Sequence, residues 1–103
     1  MVRRGEIWWV ELPDRKRRPY LILTRQAAIP VLTSIVAAAL TRTRRSLPTE
    51  VALDEDDGLP TACAVSFDNV ETLPHWAFTE RIAVLRPERL GDVCAALRLA
   101  VDC

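Results

Sequence analysis

Short apolar segments separated by turn-forming residues make up most of the first 85 residues. Segments rich in β-branched and aromatic residues at this spacing are typical of strands in a small antiparallel sheet. The predicted strands are Ile7–Leu12, Tyr20–Thr24, Ser34–Leu40, Thr49–Leu53, Cys63–Phe67, Asn69–Leu73 and Arg81–Leu85. The fifth and sixth are either two strands or one bent strand. The third also fits a helical period, but its β-branched start favours a strand.

The carboxyl end of the chain changes to a helical period. Its apolar positions form one stripe of an amphipathic helix, made of Leu90, Val93, Cys94, Leu97 and Val101. Pro87 suits the first helical position, whereas Arg86 is a poor N-cap residue. Many short strands followed by one helix predict a mostly β fold with some α structure, namely a small antiparallel barrel with a C-terminal amphipathic helix.

Length and charge further limit the number of domains and the type of binding partner. A chain of 103 residues suits a single domain, 1–103, and its hydrophobic share of 50% allows a core without disulfide or metal support. Residues 1–50 carry ten Arg and Lys against four acids, a balance of +6, and residues 51–103 carry four against ten, a balance of −6. If the two halves are not fully interleaved, the fold has a basic side. Such a side favours an anionic partner, although it also suits self-association or a basic protein partner.

The cysteines and the apolar segments exclude several classes of protein. Three cysteines without Cys-x-x-Cys or Cys/His spacing fit neither a zinc site nor a disulfide framework. Cys63 and Cys94 are predicted to be small core residues, and Cys103 a terminal thiol. The amino terminus lacks an apolar segment long enough for a signal peptide, and segment 27–40 is too short to cross a bilayer. We therefore expect a cytoplasmic protein with no cofactor, no metal and no membrane association.

Two basic segments flank predicted strands. "RKRRP" precedes the second strand and "TRTRR" follows the third, so antiparallel pairing of these strands brings both segments to one end of the sheet. Their seven cations are Arg15, Lys16, Arg17, Arg18, Arg42, Arg44 and Arg45. Crowded cations are unfavourable unless solvent, acids or a polyanion neutralise them, and a nucleic-acid backbone does so. Two solvated loops are the alternative interpretation.

A series of short motifs runs along nearly the whole chain: Arg4-Gly5-Glu6-Ile7-Trp8, Arg18-Pro19, Thr41 after the alanine-rich third strand, Pro48-Thr49-Glu50-Val51 and Asp68-Asn69-Val70. Together these motifs resemble the MazF/PemK family of toxin endoribonucleases. Each motif is short, and it is their order and spacing that carry the resemblance. The similarity continues through "RPERLGDVCAALRLA" near the carboxyl end.

The resemblance implies an SH3-like or CcdB-like barrel, usually a homodimer, that cleaves single-stranded RNA at selected sequences without a metal. In that family the Arg before Pro and the Thr after the third strand carry much of the chemistry, which points to Arg18 and Thr41 as catalytic residues here. Attack by the neighbouring 2′-hydroxyl would leave 2′,3′-cyclic phosphate and 5′-hydroxyl ends, with Arg18 stabilising the charged phosphorane. The other six cations of the basic segments would bind RNA.

The resemblance also implies a cognate protein antitoxin. The physical expectation is an acidic, partly disordered segment that lies over the cleft and displaces RNA. Two other functions stay open. One is a gyrase-poisoning toxin on the same fold, acting through the end of the carboxyl helix. The other is a non-catalytic RNA-binding barrel in which Arg18 only anchors phosphate.

Several polar residues have less defined roles. The general base is unassigned, because an Arg side chain is a very weak acid whose pKa lies far above neutral pH, and the single imidazole, His75, has no second imidazole as partner. Many family members have a longer first loop with an acidic residue, for which Asp14 is the sole nearby replacement here. Asp68 and Asn69 match the family's acid–amide pair and either border the site or form a turn.

Trp8 and Trp9 are adjacent, so on a strand their side chains point to opposite faces. One is expected in the core. The other either stacks on a base or packs in a dimer interface.

Overall fold

The computed structural model describes residues 1–102, so the terminal thiol expected at Cys103 lies outside the described residues. The strands are β1 (Glu6–Val10), β2 (Arg18–Ile22), β3 (Ser34–Thr41), β4 (Glu50–Leu53), β5 (Cys63–Pro74) and β6 (Phe78–Val84). The helix α1 spans Pro87–Val101. Short 3-10 helices cover Gln26–Ala28, Glu55–Asp57 and His75–Ala77.

The six strands form one antiparallel sheet in the order β4-β5-β3-β2-β1-β6. The predicted mostly β architecture with a C-terminal helix is therefore confirmed. The hydrogen-bonded ladder is open, because β4 and β6 are its two edges and do not pair with each other. β5 is one long strand, which decides between the two alternatives left by the sequence.

The last strand begins earlier than the hydrophobic pattern indicates. β6 starts at Phe78, whereas the apolar segment suggests a start at Arg81. The additional residues Thr79 and Glu80 are polar and exposed. Polar side chains are compatible with an edge strand, and within residues 1–102 β6 pairs only with β1.

Buried side chains form two clusters, one on each face of the sheet. The helix-side cluster includes Leu21, Val65 and Val93, and the outer cluster includes Ile22 and Ile35. Neighbouring residues of β2 belong to different clusters because side chains alternate along a strand. Both faces of the central strands are therefore buried. This packing holds the strands, and hence the residues at their ends, in fixed positions.

The helix packs through a face that is rotated from the predicted stripe. Val93 and Ala96 are buried, whereas Cys94 and Val101 are exposed. The prediction that Cys94 is a core residue is therefore wrong. The small Ala96 side chain lets the helix backbone approach the sheet, a role that hydrophobicity alone does not reveal. Pro87 does occupy the first helical position, as predicted.

Ion pairs fix the start of α1 in place of a side-chain cap. Arg86 is the N-cap residue and makes no capping hydrogen bond. Nη2 of Arg86 lies 3.8 Å from Oδ1 of Asp57, and Nε of Arg89 lies 3.3 Å from the same oxygen. Arg89 also donates a hydrogen bond to the carbonyl oxygen of Ala52. These contacts tie the helix to the 3-10 helix Glu55–Asp57 and to β4.

Candidate active site

A cavity of about 410 Å³ lies where β2 begins and β3 ends. Its lining residues are Trp9, Arg17, Arg18, Pro19, Leu40, Thr41, Arg42, Leu59, Pro60, Thr61, Cys63 and Ile82. The volume falls within the usual range of small-molecule sites. The cavity thus contains both residues for which the family resemblance implies a catalytic role, Arg18 and Thr41.

Arg18 is positioned by the first residue pair of β2. It lies opposite Val10 of β1, and its Nη2 donates a 3.1 Å hydrogen bond to the carbonyl oxygen of Leu40. A guanidinium carries five N–H donors in a planar fork. One bond to the backbone therefore orients the group and leaves further donors for phosphate oxygens.

Thr41 is the last residue of β3 and is half-buried. Its Oγ1 accepts a 3.1 Å hydrogen bond from the backbone N–H of Thr43, a local contact that fixes the hydroxyl. A hydroxyl that accepts this bond still has its own hydrogen to donate. Thr41 can therefore serve as a hydrogen-bond donor to a substrate oxygen.

The two basic segments meet at the cavity in part. Three of the seven predicted cations line it: Arg17, Arg18 and Arg42. Four are exposed and do not belong to its lining: Arg15, Lys16, Arg44 and Arg45. The cavity therefore contains fewer cations than the two segments offer, and the remaining ones lie on the exposed surface.

Glu71 of β5 was given no role from the sequence, although it belongs to a charged network. Its Oε1 accepts a 2.8 Å hydrogen bond from Nη1 of Arg15, and its Oε2 accepts one from the Tyr20 hydroxyl. The hydrogen bonds from Tyr20 and Arg15 lower the pKa of Glu71 despite its burial, and the charge of Arg18 adds to this effect. Burial and the Glu71 carboxylate raise the pKa of Tyr20. An ionised carboxylate thus faces the strand that carries Arg18.

The three residues considered as a border of the site do not line this cavity. Asp14 is exposed and lies 3.6 Å from the nearest nitrogen of its neighbour in the chain, Arg15. Oδ2 of Asp68 accepts a 2.7 Å hydrogen bond from Thr49, within the part of β5 where pairing with β3 is interrupted. Asn69 donates a 3.2 Å hydrogen bond to Ser66 in the same stretch. Asp68 is thus bonded to a residue just before β4, and Asn69 to a residue of its own strand, β5.

The segment before β5, together with the first residue of that strand, supplies a wall of the cavity that the sequence did not predict. Leu59, Pro60, Thr61 and Cys63 all line the cavity. No role in the site was predicted for these residues, because the pairing of β5 with β3 is not visible in the sequence. Cys63 is buried, as predicted, and its burial raises the pKa of its thiol. This wall is largely apolar.

The single imidazole lies outside the cavity lining. Nε2 of His75 is 2.7 Å from the carbonyl oxygen of Leu32, so the ring is bonded to the backbone. Among the described residues, the cavity lining contains no carboxylate and no imidazole. Within residues 1–102, no three His, Cys, Asp or Glu side chains are grouped so as to hold a metal ion. No helix in that range is long and apolar enough to span a membrane.

Comparison with known families gives this arrangement a context. Residues 3–101 match the family described as PemK-like, MazF-like toxin of type II toxin-antitoxin system. The chain belongs to this family. It is 43% identical to the probable endoribonuclease MazF2 of Mycobacterium tuberculosis, over 99% of this chain and 100% of that relative. It is 48% identical to endoribonuclease MazF3 of the same species, over 84% of each chain.

Solved structures agree with this membership. An endoribonuclease in complex with its cognate antitoxin, from a mycobacterial species, matches this MazF-like chain with a TM-score of 0.89 and 30% identity. The match covers 99% of this chain and 96% of that one. The family resemblance found in the sequence is therefore confirmed, and so is the implied antiparallel β fold with a C-terminal helix, although its sheet is not closed into a barrel.

Proposed function

We propose that this MazF-type toxin endoribonuclease cleaves single-stranded RNA at selected sequences without a metal ion, and thereby inhibits growth or translation. The observation that carries the proposal is that Arg18 and Thr41 line one cavity together with Arg17 and Arg42. Fixed cationic and hydroxyl donors around such a space suit a reacting phosphate group. Family membership and the relatives named as endoribonucleases also support it.

The proposed reaction is an internal displacement at phosphorus. The 2′-hydroxyl oxygen attacks the adjacent phosphate and loses its proton, and the bond to the 5′-oxygen breaks as that oxygen takes up a proton. The products carry a 2′,3′-cyclic phosphate and a 5′-hydroxyl. Donors of Arg18 stabilise the charge on the non-bridging oxygens, and the Thr41 hydroxyl binds one of them or orients the attacking group.

The general base is left unassigned in this proposal. The described lining of the cavity offers no carboxylate or imidazole, and an arginine side chain has no hydrogen-bond acceptor. Glu71 accepts hydrogen bonds on both of its oxygens and has a lowered pKa, which makes it a weak base. Acid–base catalysis typically contributes roughly 10²–10⁴-fold, so we expect a slow enzyme.

A cognate protein antitoxin is the proposed inhibitor. A solved relative is described in complex with its own antitoxin. In this chain Arg15, Lys16, Arg44 and Arg45 are exposed in the segments that lead to the cavity. An acidic, partly disordered segment complements this charge and would exclude RNA by covering the cavity.

A homodimer acting in the cytoplasm completes the proposal. Val36 of β3 and Val70 of β5 are diagonal neighbours on one sheet face, and their exposed fractions are 37% and 38%. Exposed apolar side chains grouped on a sheet face are typical of an interface. Light scattering after size-exclusion chromatography should give twice the mass of the chain, and Val36→Asp should shift the protein towards the monomer.

The decisive experiment for this function is incubation of the purified protein with a long single-stranded RNA in EDTA, followed by mapping of the fragment ends. We expect discrete cuts with 2′,3′-cyclic phosphate and 5′-hydroxyl ends. Arg18→Ala and Thr41→Ala should abolish the cuts. Arg98→Ala, which removes an exposed cation of α1 outside the cavity, is the matched control and should cleave normally.

Other outcomes point to the alternatives. RNA that is bound but stays intact would favour a non-catalytic binding protein. RNA that is neither bound nor cut, together with inhibition in a topoisomerase assay, would favour a gyrase poison.

A further inference from the structure

The two adjacent tryptophans of β1 have different surroundings. The Trp8 ring packs against the outer cluster, and its Nε1 donates a 2.9 Å hydrogen bond to Oε1 of Glu6. Trp9 is half-buried, is part of neither core cluster and lines the cavity instead. Trp8 therefore has a clear structural role, whereas Trp9 presents an aromatic ring beside the proposed catalytic pair.

Arg17 covers one face of the Trp9 ring. The central guanidinium carbon of Arg17 lies 4.0 Å from the ring centre, a close cation–π contact. Both side chains line the same cavity as Arg18. A guanidinium is flat and delocalised, so it stacks on an aromatic ring much as a nucleobase does.

The other contacts of Arg17 are weak. Its side chain is 45% exposed, and its ion pairs with Glu11 and Glu80 measure 3.9 and 4.0 Å, at the outer limit for such pairs. Exposed ion pairs of this kind contribute little free energy. Displacing the guanidinium from the ring therefore breaks no strong bond.

We infer that the Trp9 ring is a stacking site for one base of the bound RNA, and that Arg17 covers the ring until the base displaces it. This inference rests on the proposed function, since it names the part of the substrate that the cavity holds beside the reacting phosphate. The apolar wall formed by Leu59, Pro60 and Ile82 suits a flat ring. The displaced Arg17 then pairs with a phosphate of the same strand.

The test uses a variant whose only tryptophan is Trp9, made by combining Trp8→Phe, Trp76→Phe and Thr41→Ala. One probe is a random-sequence single-stranded RNA of 12 nucleotides, and the other is a ribose-phosphate oligomer of equal length without bases. Binding is followed by anisotropy of a label on the probe, and stacking by Trp9 fluorescence. We expect the RNA to quench Trp9 fluorescence and the base-free oligomer to bind without quenching it.

Substitutions of Trp9 separate stacking from charge. In the Thr41→Ala background, Trp9→Leu should weaken RNA binding about tenfold and leave binding of the base-free oligomer unchanged. Trp9→Phe keeps an aromatic ring and should restore most of the loss. Trp76→Leu removes a tryptophan that is 66% exposed and outside the cavity, so it should change neither affinity. Because these variants keep Trp8, they still test the stacking site if the Trp8→Phe protein fails to fold.

The role of Arg17 has its own readout. Arg17→Gln should increase quenching of Trp9 by acrylamide in the free protein, because the ring is uncovered. It should also reduce the slope of log affinity against log salt by about one, because one phosphate contact is lost.

Several results would overturn the inference: binding of RNA without a change in Trp9 fluorescence, an equal loss of affinity for both probes in Trp9→Leu, or no binding of either probe. Its failure is distinguishable from failure of the proposed function. Normal cleavage by Trp9→Leu would overturn the stacking site alone. Stacking without any RNA cleavage by the unmodified protein would overturn the proposed function alone.

Discussion

Arg18 donates a hydrogen bond from Nη2 to the carbonyl oxygen of Leu40, the residue that precedes Thr41. The contact joins the start of β2 to the end of β3, although these strand ends are distant in the sequence. It holds the guanidinium in the cavity that Thr41 also lines, while leaving other N–H donors unused by this bond. The proposed chemistry depends on this contact.

Arg18→Lys tests whether the planar fork of the guanidinium matters. A lysine keeps the charge but lacks the fork that binds the Leu40 carbonyl and two phosphate oxygens together. We expect the single-turnover cleavage rate to fall by about 10²-fold, with a smaller change in RNA affinity. Urea unfolding should show a loss of stability of about 1 kcal/mol or less, from the single hydrogen bond. Cleavage at the unmodified rate would contradict the proposed role.

Thr41→Val and Thr41→Ser test the hydroxyl. Valine has nearly the same shape as threonine and lacks the donor, so cleavage should fall by about 10²-fold while the fold persists. Serine retains the hydroxyl and should recover most of the rate. Single-turnover assays on one mapped substrate compare the three proteins. Equal rates for the valine and serine variants would show that the hydroxyl is not used.

Glu71→Gln tests the network behind Arg18. Tyr20 and Arg15 bind the ionised carboxylate and hold its pKa below the ordinary value of 4.5. A group with a depressed pKa stabilises the fold above its unfolded pKa and loses this contribution as pH falls through its folded pKa. Glu71→Gln should therefore cost about 1 kcal/mol at pH 7, and the difference from the unmodified protein should shrink below pH 4.5.

Urea unfolding across this pH range measures that difference. Glu6 also loses a contribution in acid: its burial raises its pKa, but hydrogen bonds from Trp8, the backbone and Arg81 outweigh this and lower it. Both proteins therefore weaken at low pH, and only the difference between them reports on Glu71. Glu88→Gln, on the exposed first turn of α1, is the control. A stability difference that stays constant with pH would contradict the network.

The cysteines give a chemical test of the cavity. Burial raises the pKa of Cys63, and only the thiolate reacts with iodoacetamide, so Cys63 should react slowly at neutral pH. Cys94 is exposed and should react faster. Mass spectrometry of a Thr41→Ala, Cys103→Ser protein measures iodoacetamide labelling at Cys63 and Cys94 separately. Added RNA should slow the labelling of Cys63 and leave that of Cys94 unchanged. Faster labelling of Cys63 than of Cys94 would contradict the described packing.

Arg42→Gln tests the second basic segment. Because Arg42 lines the cavity, its loss should weaken RNA binding and reduce the salt dependence of affinity by about one unit of slope. Arg98→Gln removes an exposed charge of α1 outside the cavity and should change neither quantity. Fluorescence anisotropy at several salt concentrations, in the Thr41→Ala background, provides the measurement. If log affinity falls equally with log salt in the two variants, RNA binding depends on the overall charge of the protein and not on Arg42 in particular.

Much of the fold could be predicted from the sequence because its strands are short, apolar and separated by turn residues. Boundaries were less predictable where tertiary context decides them. β6 extends to Phe78 because an edge strand tolerates Thr79 and Glu80, and α1 turns Ala96 inward in place of Cys94. In both cases the neighbouring strands decide where the element starts or which face it buries. The pattern of apolar residues along the chain does not show which strands will be neighbours.

The candidate site was predictable in part, through motif order. Arg18 and Thr41 were selected through the family pattern, and antiparallel pairing of β2 with β3 brings them to one cavity. Glu71 was missed because its contacts with Arg15 and Tyr20 depend on the pairing of β5 with β3. Such contacts between distant parts of the chain leave no local pattern.

The most direct test of the central claim replaces one ribose in a mapped RNA substrate. The nucleotide on the 5′ side of the cut is made 2′-deoxy, and the RNA is incubated with the protein in EDTA. The account predicts that this RNA binds as the unmodified RNA does and stays uncut at that position, because the attacking hydroxyl is missing. Cleavage at the modified position would contradict attack by the 2′-hydroxyl, and with it the roles given to Arg18 and Thr41.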